Sequence, residues 1–234
     1  MTTLSIRMQS AALALVSSLC FAAPAYCDDD PSNSLRAGLY AVFYHSSADD
    51  ISGPYVPPGV NIDAKDVQTL YVAYVRRLSE HFDAELALGY PPLTKTVGSG
   101  PATLGSVPYD GQVISTARWL APTVLLDYKF GGENSKLRPY IGVGVNYTTF
   151  YDRDSTAQGN AASGGPTKLS LSASVGPAGT VGLAYHIVDH WNFYASYSAS
   201  QVKTKLSADT AGVIRNTNIS FGPQALVLAL GYSF

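Results

Sequence analysis

Charge is what this sequence of 234 residues has least of: Asp, Glu, Lys and Arg together make up 14% of it, against roughly 25% in ordinary soluble domains. A water-facing surface of normal polarity is therefore missing. Long apolar runs are missing too, because beyond the N-terminus no stretch approaches the roughly 20 residues that a membrane-spanning helix requires. Net charge is only -2 and the cations are scattered, which leaves no electrostatic footprint for nucleic acid. The two cysteines, Cys20 and Cys27, lie so near the start that a disulfide cannot staple the rest of the chain. Neither is preceded by the small residue that lipid attachment favours, since Leu19 and Tyr26 stand there.

Catalytic and cofactor signatures are equally thin. The four histidines, His45, His81, His186 and His190, form no group with metal-ligand spacing. His81 and His190 sit in short turns, and neither has a serine and a carboxylate partner at a nucleophile motif, which argues against an enzyme. GVGVN at Gly142 to Asn146 looks like a phosphate loop, but its glycines alternate with valine and no helix start follows, so no nucleotide or other cofactor is expected.

What is present begins with Arg7, the apolar segment Ala11 to Ala25 and the acidic run Asp28 to Asp30. This is the pattern of a secretory signal peptide over residues 1–27. Cleavage after Ala25 or after Cys27 fits equally, leaving one domain over 28–234.

From Asn33 onward the apolar residues repeat with period two, the signature of strands with one apolar face. Leu120, Pro122, Val124, Leu126, Tyr128 and Phe130 share a face opposite Ala121, Thr123, Leu125, Asp127 and Lys129. Ile141, Val143, Val145 and Tyr147 oppose Tyr140, Gly142, Gly144 and Asn146. Val181, Leu183, Tyr185 and Ile187 oppose Gly182, Ala184 and His186, and Leu226, Leu228, Leu230, Tyr232 and Phe234 oppose Ala225, Val227, Ala229 and Gly231. Eight such segments are read, at about 34–47, 67–78, 82–96, 113–130, 137–150, 175–188, 191–203 and 222–234. Short connections follow the second, fourth and sixth, and long ones rich in Gly, Ser, Ala and Asp follow the others.

An all-β, eight-stranded antiparallel transmembrane barrel with short periplasmic turns and long extracellular loops accounts for this pattern. A soluble lipocalin-like barrel would need its charge outside and its large apolar residues inside. Here the large residues cannot all fit inside eight strands, whereas the small ones can. Leu, Val, Ile and aromatics are therefore assigned to lipid, and closure of the sheet satisfies every backbone N–H and C=O. Tyr128, Phe130, Trp191, Tyr232 and Phe234 fall near the short-turn ends, where an interfacial aromatic girdle belongs.

Four stretches carry a family likeness: LRPYIGVGVNYTTFYD (Leu137 to Asp152), LAPTVLLDYKFGG (Leu120 to Gly132), PAGTVGLAYHI (Pro177 to Ile187) and the final ALGYSF, with LRAG at Leu35 to Gly38 as a weaker fifth. They resemble the OmpW family of Gram-negative outer-membrane proteins, which includes AlkL-like relatives that accompany hydrocarbon degradation. The resemblance implies a narrow, largely apolar channel for passive uptake of small hydrophobic molecules in the cell outer membrane, among lipid and lipopolysaccharide. It also sets Ala87 and Ser198 at lumen positions where relatives carry larger apolar side chains that narrow the channel. The smaller pair implies a wider pore or one gated by loops.

With the strands in register, the expected lumen lining is Ala87, Ala121, Thr123, Leu125, Tyr140, Gly142, Gly144, Asn146, Ala184, Ser198, Ala225 and Val227. Charges gather toward the short turns: Arg77, Asp83, Glu85, Asp127, Lys129 and Arg138. These read either as an ion filter or as a paired network closing the barrel floor, and confinement favours pairing. If the floor is closed, a solute leaves sideways, and Pro91, Pro92 and Pro122 offer a break in the hydrogen-bond ladder. A simple kink at the start of the second long loop is the alternative. Tyr232 and Phe234, on the alternating final strand, resemble the signal read by the barrel-assembly machinery. The rival to transport is a surface barrel acting through its loops as adhesin, phage or bacteriocin receptor, or envelope support.

Overall fold

Alternation of apolar and small residues becomes a closed sheet in the computed structural model, which describes residues 32–104 and 107–234. The expected signal peptide lies outside the described residues. The strands are β1 (Asn33–Ala48), β2 (Asn61–Ala64), β3 (Val67–Arg77), β4 (Phe82–Gly89), β5 (Leu93–Ser99), β6 (Thr103–Leu104), β7 (Val107–Pro108), β8 (Val113–Leu120), β9 (Thr123–Lys129), β10 (Leu137–Ser155), β11 (Thr167–Leu171), β12 (Ser174–Val188), β13 (Trp191–Ser200), β14 (Val202–Thr210) and β15 (Val213–Ser233). A short helix, α1 (Ala157–Ser163), sits between β10 and β11. Among the described residues no helix is long and apolar enough to cross a membrane.

Eight strands close a ring: β15–β1, β1–β3, β3–β4, β4–β9, β9–β10, β10–β12, β12–β13 and β13–β15, all antiparallel. Each of these eight strands therefore has a partner on both sides, as a sheet in lipid requires. Beyond the ring the sheet continues upward, in the order β2, β5, β8, β10, β11, β14, β15.

Several boundaries differ from the periodicity reading. The third segment is divided at Pro91 and Pro92, and the fourth at Ala121 and Pro122, because proline has no N–H to give the ladder. The seventh is interrupted at Gln201, the fifth runs on to Ser155, and the eighth starts at Val213. Much of what reads as long loop is therefore strand standing above the membrane. Residues 152–167 also contain α1, capped by the Thr156 hydroxyl accepting from the Gly159 N–H and by Gly164 in the left-handed region.

The outward face is apolar: Leu39, Leu70, Val124, Val143, Val181, Leu228 and Leu230 are all exposed. At the short-turn end Phe82, Tyr128 and Phe130 stack edge to face, with centroids 5.3 and 5.0 Å apart, and Trp191 meets Tyr232 at 5.2 Å. Such a band with an aromatic rim suits the hydrocarbon slab and its interface.

Inside, large rings are accommodated by glycine. A Cβ on Gly182 would come within 2.5 Å of the Tyr140 ring, and one on Gly231 within 2.6 Å of Tyr194. Tyr140 and Tyr194 pack with Tyr71, Ala73, Val227 and Ala229 in one buried cluster, and Val42, Trp119 and Ala225 form a second.

Candidate functional site

The lower half of the lumen holds a group of buried, paired charges. Arg36 of β1 lies 3% exposed. Its Nη1 donates to Glu85 Oε2 at 2.5 Å, and its Nη2 is 3.9 Å from Asp83 Oδ2. The guanidinium carbon stands 3.9 Å from the centroid of the Tyr194 ring and 5.8 Å from that of Tyr140, within cation–π range. Tyr71 donates its hydroxyl to the other oxygen of Glu85, and Lys129 Nζ lies 2.7 Å from Asp83 Oδ2. Both cations are thus matched to carboxylates inside the barrel, which is what makes charge there affordable. Asp127 is 1% exposed, and neither of its oxygens has a hydrogen-bond partner among the described residues. It occupies the space that a Cβ on Gly142 would need.

Two of the expected floor charges act at the turns. Arg138 Nη2 donates to the carbonyls of Glu80 at 2.8 Å and Gly131 at 3.1 Å, tying two short turns together. Arg77 reaches Glu133, 3.6 Å away, in the turn after β9. Asp83, Glu85 and Lys129 instead meet one another and Arg36 inside the barrel.

Above the Arg36 network lies an apolar cavity of about 110 Å³. An engineered cavity that holds one benzene is about 150 Å³, so the space is of the same order as a small molecule. Tyr71 and Glu85 bound it below. Ala87, Ala121, Thr123, Leu125, Asn146, Ser198, Ala225 and Val227 form its sides, with Tyr40, Tyr44, Trp119, Phe150 and Phe221 as an aromatic upper lining. Trp119 Nε1 donates to Thr94 Oγ1 at 3.0 Å, and the rings of Tyr44 and Phe221 meet edge-on at 5.9 Å. Asn146 Nδ2 is turned toward Thr123 Oγ1, 2.8 Å away. The wall therefore spends its few polar groups on itself and offers solute mainly carbon.

Tyr140, Gly142, Gly144 and Ala184 also face inward but sit at or below the floor or against neighbouring backbone. Gly144 lets β10 approach the backbone of Val124, and Tyr140 and Ala184 belong to the lower packed cluster.

The wall beside the cavity is incomplete. The register between the third and fourth walls stops at Ala87 opposite Thr123 and resumes at Leu93 opposite Arg118. Residues 88–92, with Pro91 and Pro92, therefore face 119–122, with Pro122, without a rung in either register. On the outer side of this break Arg118 Nη1 donates to the Pro91 carbonyl at 3.0 Å, and its Nε is 3.7 Å from Asp152 Oδ2. Higher still, Tyr109 is buried in the loop between β5 and β8, and that burial pushes its hydroxyl up to about 12.

Periodicity missed Arg36 and most of the aromatic lining. Arg36 shares its face of β1 with Gly38, Tyr40 and Val42, so a lone cation on a lumen-side register was a readable signal. Tyr40, Tyr71 and Tyr194 were harder to place, because tyrosine suits an interfacial girdle as well as an interior.

The sequence from residue 32 to residue 234 matches the OmpW family. The chain belongs to that family. It is an outer-membrane β-barrel, set among membrane lipids. This OmpW-family barrel is 29% identical over 212 residues to outer membrane protein W of Vibrio cholerae, covering 91% of this chain and 93% of that one. It is 30% identical over 137 residues to the dibenzothiophene metabolism operon protein PahQ of Pseudomonas aeruginosa, covering 57% of this chain and 59% of that protein. Among solved structures, OprG of Pseudomonas aeruginosa superposes with a TM-score of 0.78 at 25% identity, covering 87% of this chain and 96% of that one.

Proposed function

We propose that this barrel carries small hydrophobic molecules passively across the lipopolysaccharide layer and delivers them sideways into the outer membrane. The observation that carries the reading is one juxtaposition. An apolar cavity lined by Ala87, Ala121, Trp119 and Val227 lies above the Arg36–Glu85–Asp83–Lys129 floor and beside the unpaired wall at Pro91, Pro92 and Pro122. A solute held there meets charge below and lipid to the side. Transfer to lipid costs an apolar molecule little, whereas passing the floor would break buried ion pairs worth several kcal/mol. The name of PahQ, from a dibenzothiophene metabolism operon, supports a hydrophobic cargo. No catalytic step enters this reading.

Cells with and without the gene, given a panel of apolar and polar fluorescent solutes, test it directly. The barrel is expected to speed uptake of the apolar probes alone. Filling the cavity with Ala87→Phe and Ser198→Phe should return uptake to the level of cells lacking the gene. Equal uptake with and without the barrel would sink the transport reading and leave a loop-mediated surface role in its place.

A further inference from the structure

The wall break that the transport reading uses is spanned on its outer side by the Arg118 side chain. Alternation on β8 turns Ala117 and Trp119 into the cavity and Arg118 out. Pro91 ends β4's approach to β5 with a carbonyl that the ladder does not use there. The Arg118 guanidinium supplies its donor at 3.0 Å, and the same group reaches Asp152 of β10, 3.7 Å away. Asp152 stands at a register shift in the β8–β10 pairing and holds a φ of 46°, a conformation uncommon outside glycine. One guanidinium thus spans three successive walls, β4–β5, β8 and β10, across the outside of the break.

We propose that Arg118 is the latch of this opening, the positioning residue that sets how readily a solute passes from the cavity to the lipid. The proposal rests on the transport reading above. A latch must be weak enough to release, and this one is. Arg118 and Asp152 are 36% and 65% exposed, so their ion pair contributes little, and the charged hydrogen bond to Pro91 is the main hold. Planar donors suit the task, because a guanidinium bonds a carbonyl and a carboxylate at once while lysine offers a single point charge. Its half-buried position and long apolar stem also let the side chain swing aside when the break widens.

Two variants in the full-length chain test the latch, each checked for folding by the gel shift between heated and unheated barrel. Arg118→Ala should raise uptake of an apolar dye by about two- to tenfold, the range that one charged hydrogen bond spans when partly exposed. It should leave a polar dye of the same size unchanged. The second variant is Leu93→Cys with Arg118→Cys. These residues are register partners, and partners in an antiparallel pair are about 4.5–5.5 Å apart at Cα, within the span of a disulfide. Cys20→Ser and Cys27→Ser are added so that no other thiol can interfere. Oxidised, this barrel should pass less apolar dye than the parent; reduced in place, it should pass more. The reduced arm also stands in for Arg118→Ala should that variant fail to assemble.

Parent barrel with no uptake above cells lacking the gene would remove the transport reading and the latch together. Normal parent uptake with no change in Arg118→Ala, or none on oxidising the double cysteine variant, would remove the latch alone. A rise in the polar dye equal to that in the apolar one would mean an aqueous pore, and would also overturn it.

Discussion

Replacing Arg36 by methionine probes the floor most directly. The side chain is 3% exposed and Glu85 5%, so the variant leaves Glu85 buried with only the Tyr71 hydroxyl as a donor, while Asp83 keeps Lys129. Breaking one side of a buried ion pair costs about 3–5 kcal/mol. Loss of the contact with the Tyr194 face adds about 0.5–2 kcal/mol. Methionine recovers part of this by filling the space, so the net cost should be about 4 kcal/mol. Pairing the change with Glu85→Gln removes the stranded charge and should restore most of the stability, a coupling visible in a double-mutant cycle. Urea titration of the barrel refolded in lipid vesicles, read by the mobility difference between folded and unfolded forms, measures both. If Arg36→Met lay within about 1 kcal/mol of the parent, or if the double variant were as unstable as the single, the floor would not be held by this ion pair.

Other consequences are sharper still in a qualitative sense. Gly144→Ala drives a methyl into the Val124 backbone, and should cost at least the 1–3 kcal/mol or so of an overpacked core. At Gly179 the nearest atom to an added methyl is 3.5 Å away, so Gly179→Ala should fall within about 0.5 kcal/mol of the parent; equal effects in urea titration would contradict the packing described. Gly182→Ala should push the Tyr140 ring off its seat and disturb the lower cluster, seen as lost near-ultraviolet dichroism without loss of strand content. We further propose that the assembly machinery reads the end of β15: deleting Phe234 should lower the yield of membrane-inserted barrel in cells. Normal insertion of the truncated chain would count against that role.

The sequence by itself determined the class of fold and the face of nearly every strand residue. Period-two alternation cannot be satisfied in lipid except by a closed sheet, and scarce charge leaves lipid as the only suitable exterior. That is why Leu226 to Phe234 could be read as an outward apolar series and Ala225, Val227 and Ala229 as an inward one. Strand ends were less legible. Val202, Thr204 and Leu206 continue the alternation begun in β13, yet their lysine neighbours mark a strand already above the membrane, where the outward face is wet. Periodicity alone does not say where lipid stops.

Only the tertiary structure decided which inward residues meet. Arg36 lies 49 positions from Glu85, and their pairing follows from barrel closure and strand stagger, neither of which is written in local pattern. The same holds for Tyr140 seated on Gly182 and Tyr194 on Gly231, where a ring on one strand uses the side chain that its neighbour lacks. Arg118 shows the limit most clearly. Its sequence neighbours mark it as an outward cation on an apolar strand, but its link to Pro91 and Asp152 exists because two proline-broken walls and a bulged one come together at that height. Local chemistry chooses the face of a residue, and the closed three-dimensional sheet chooses its partner.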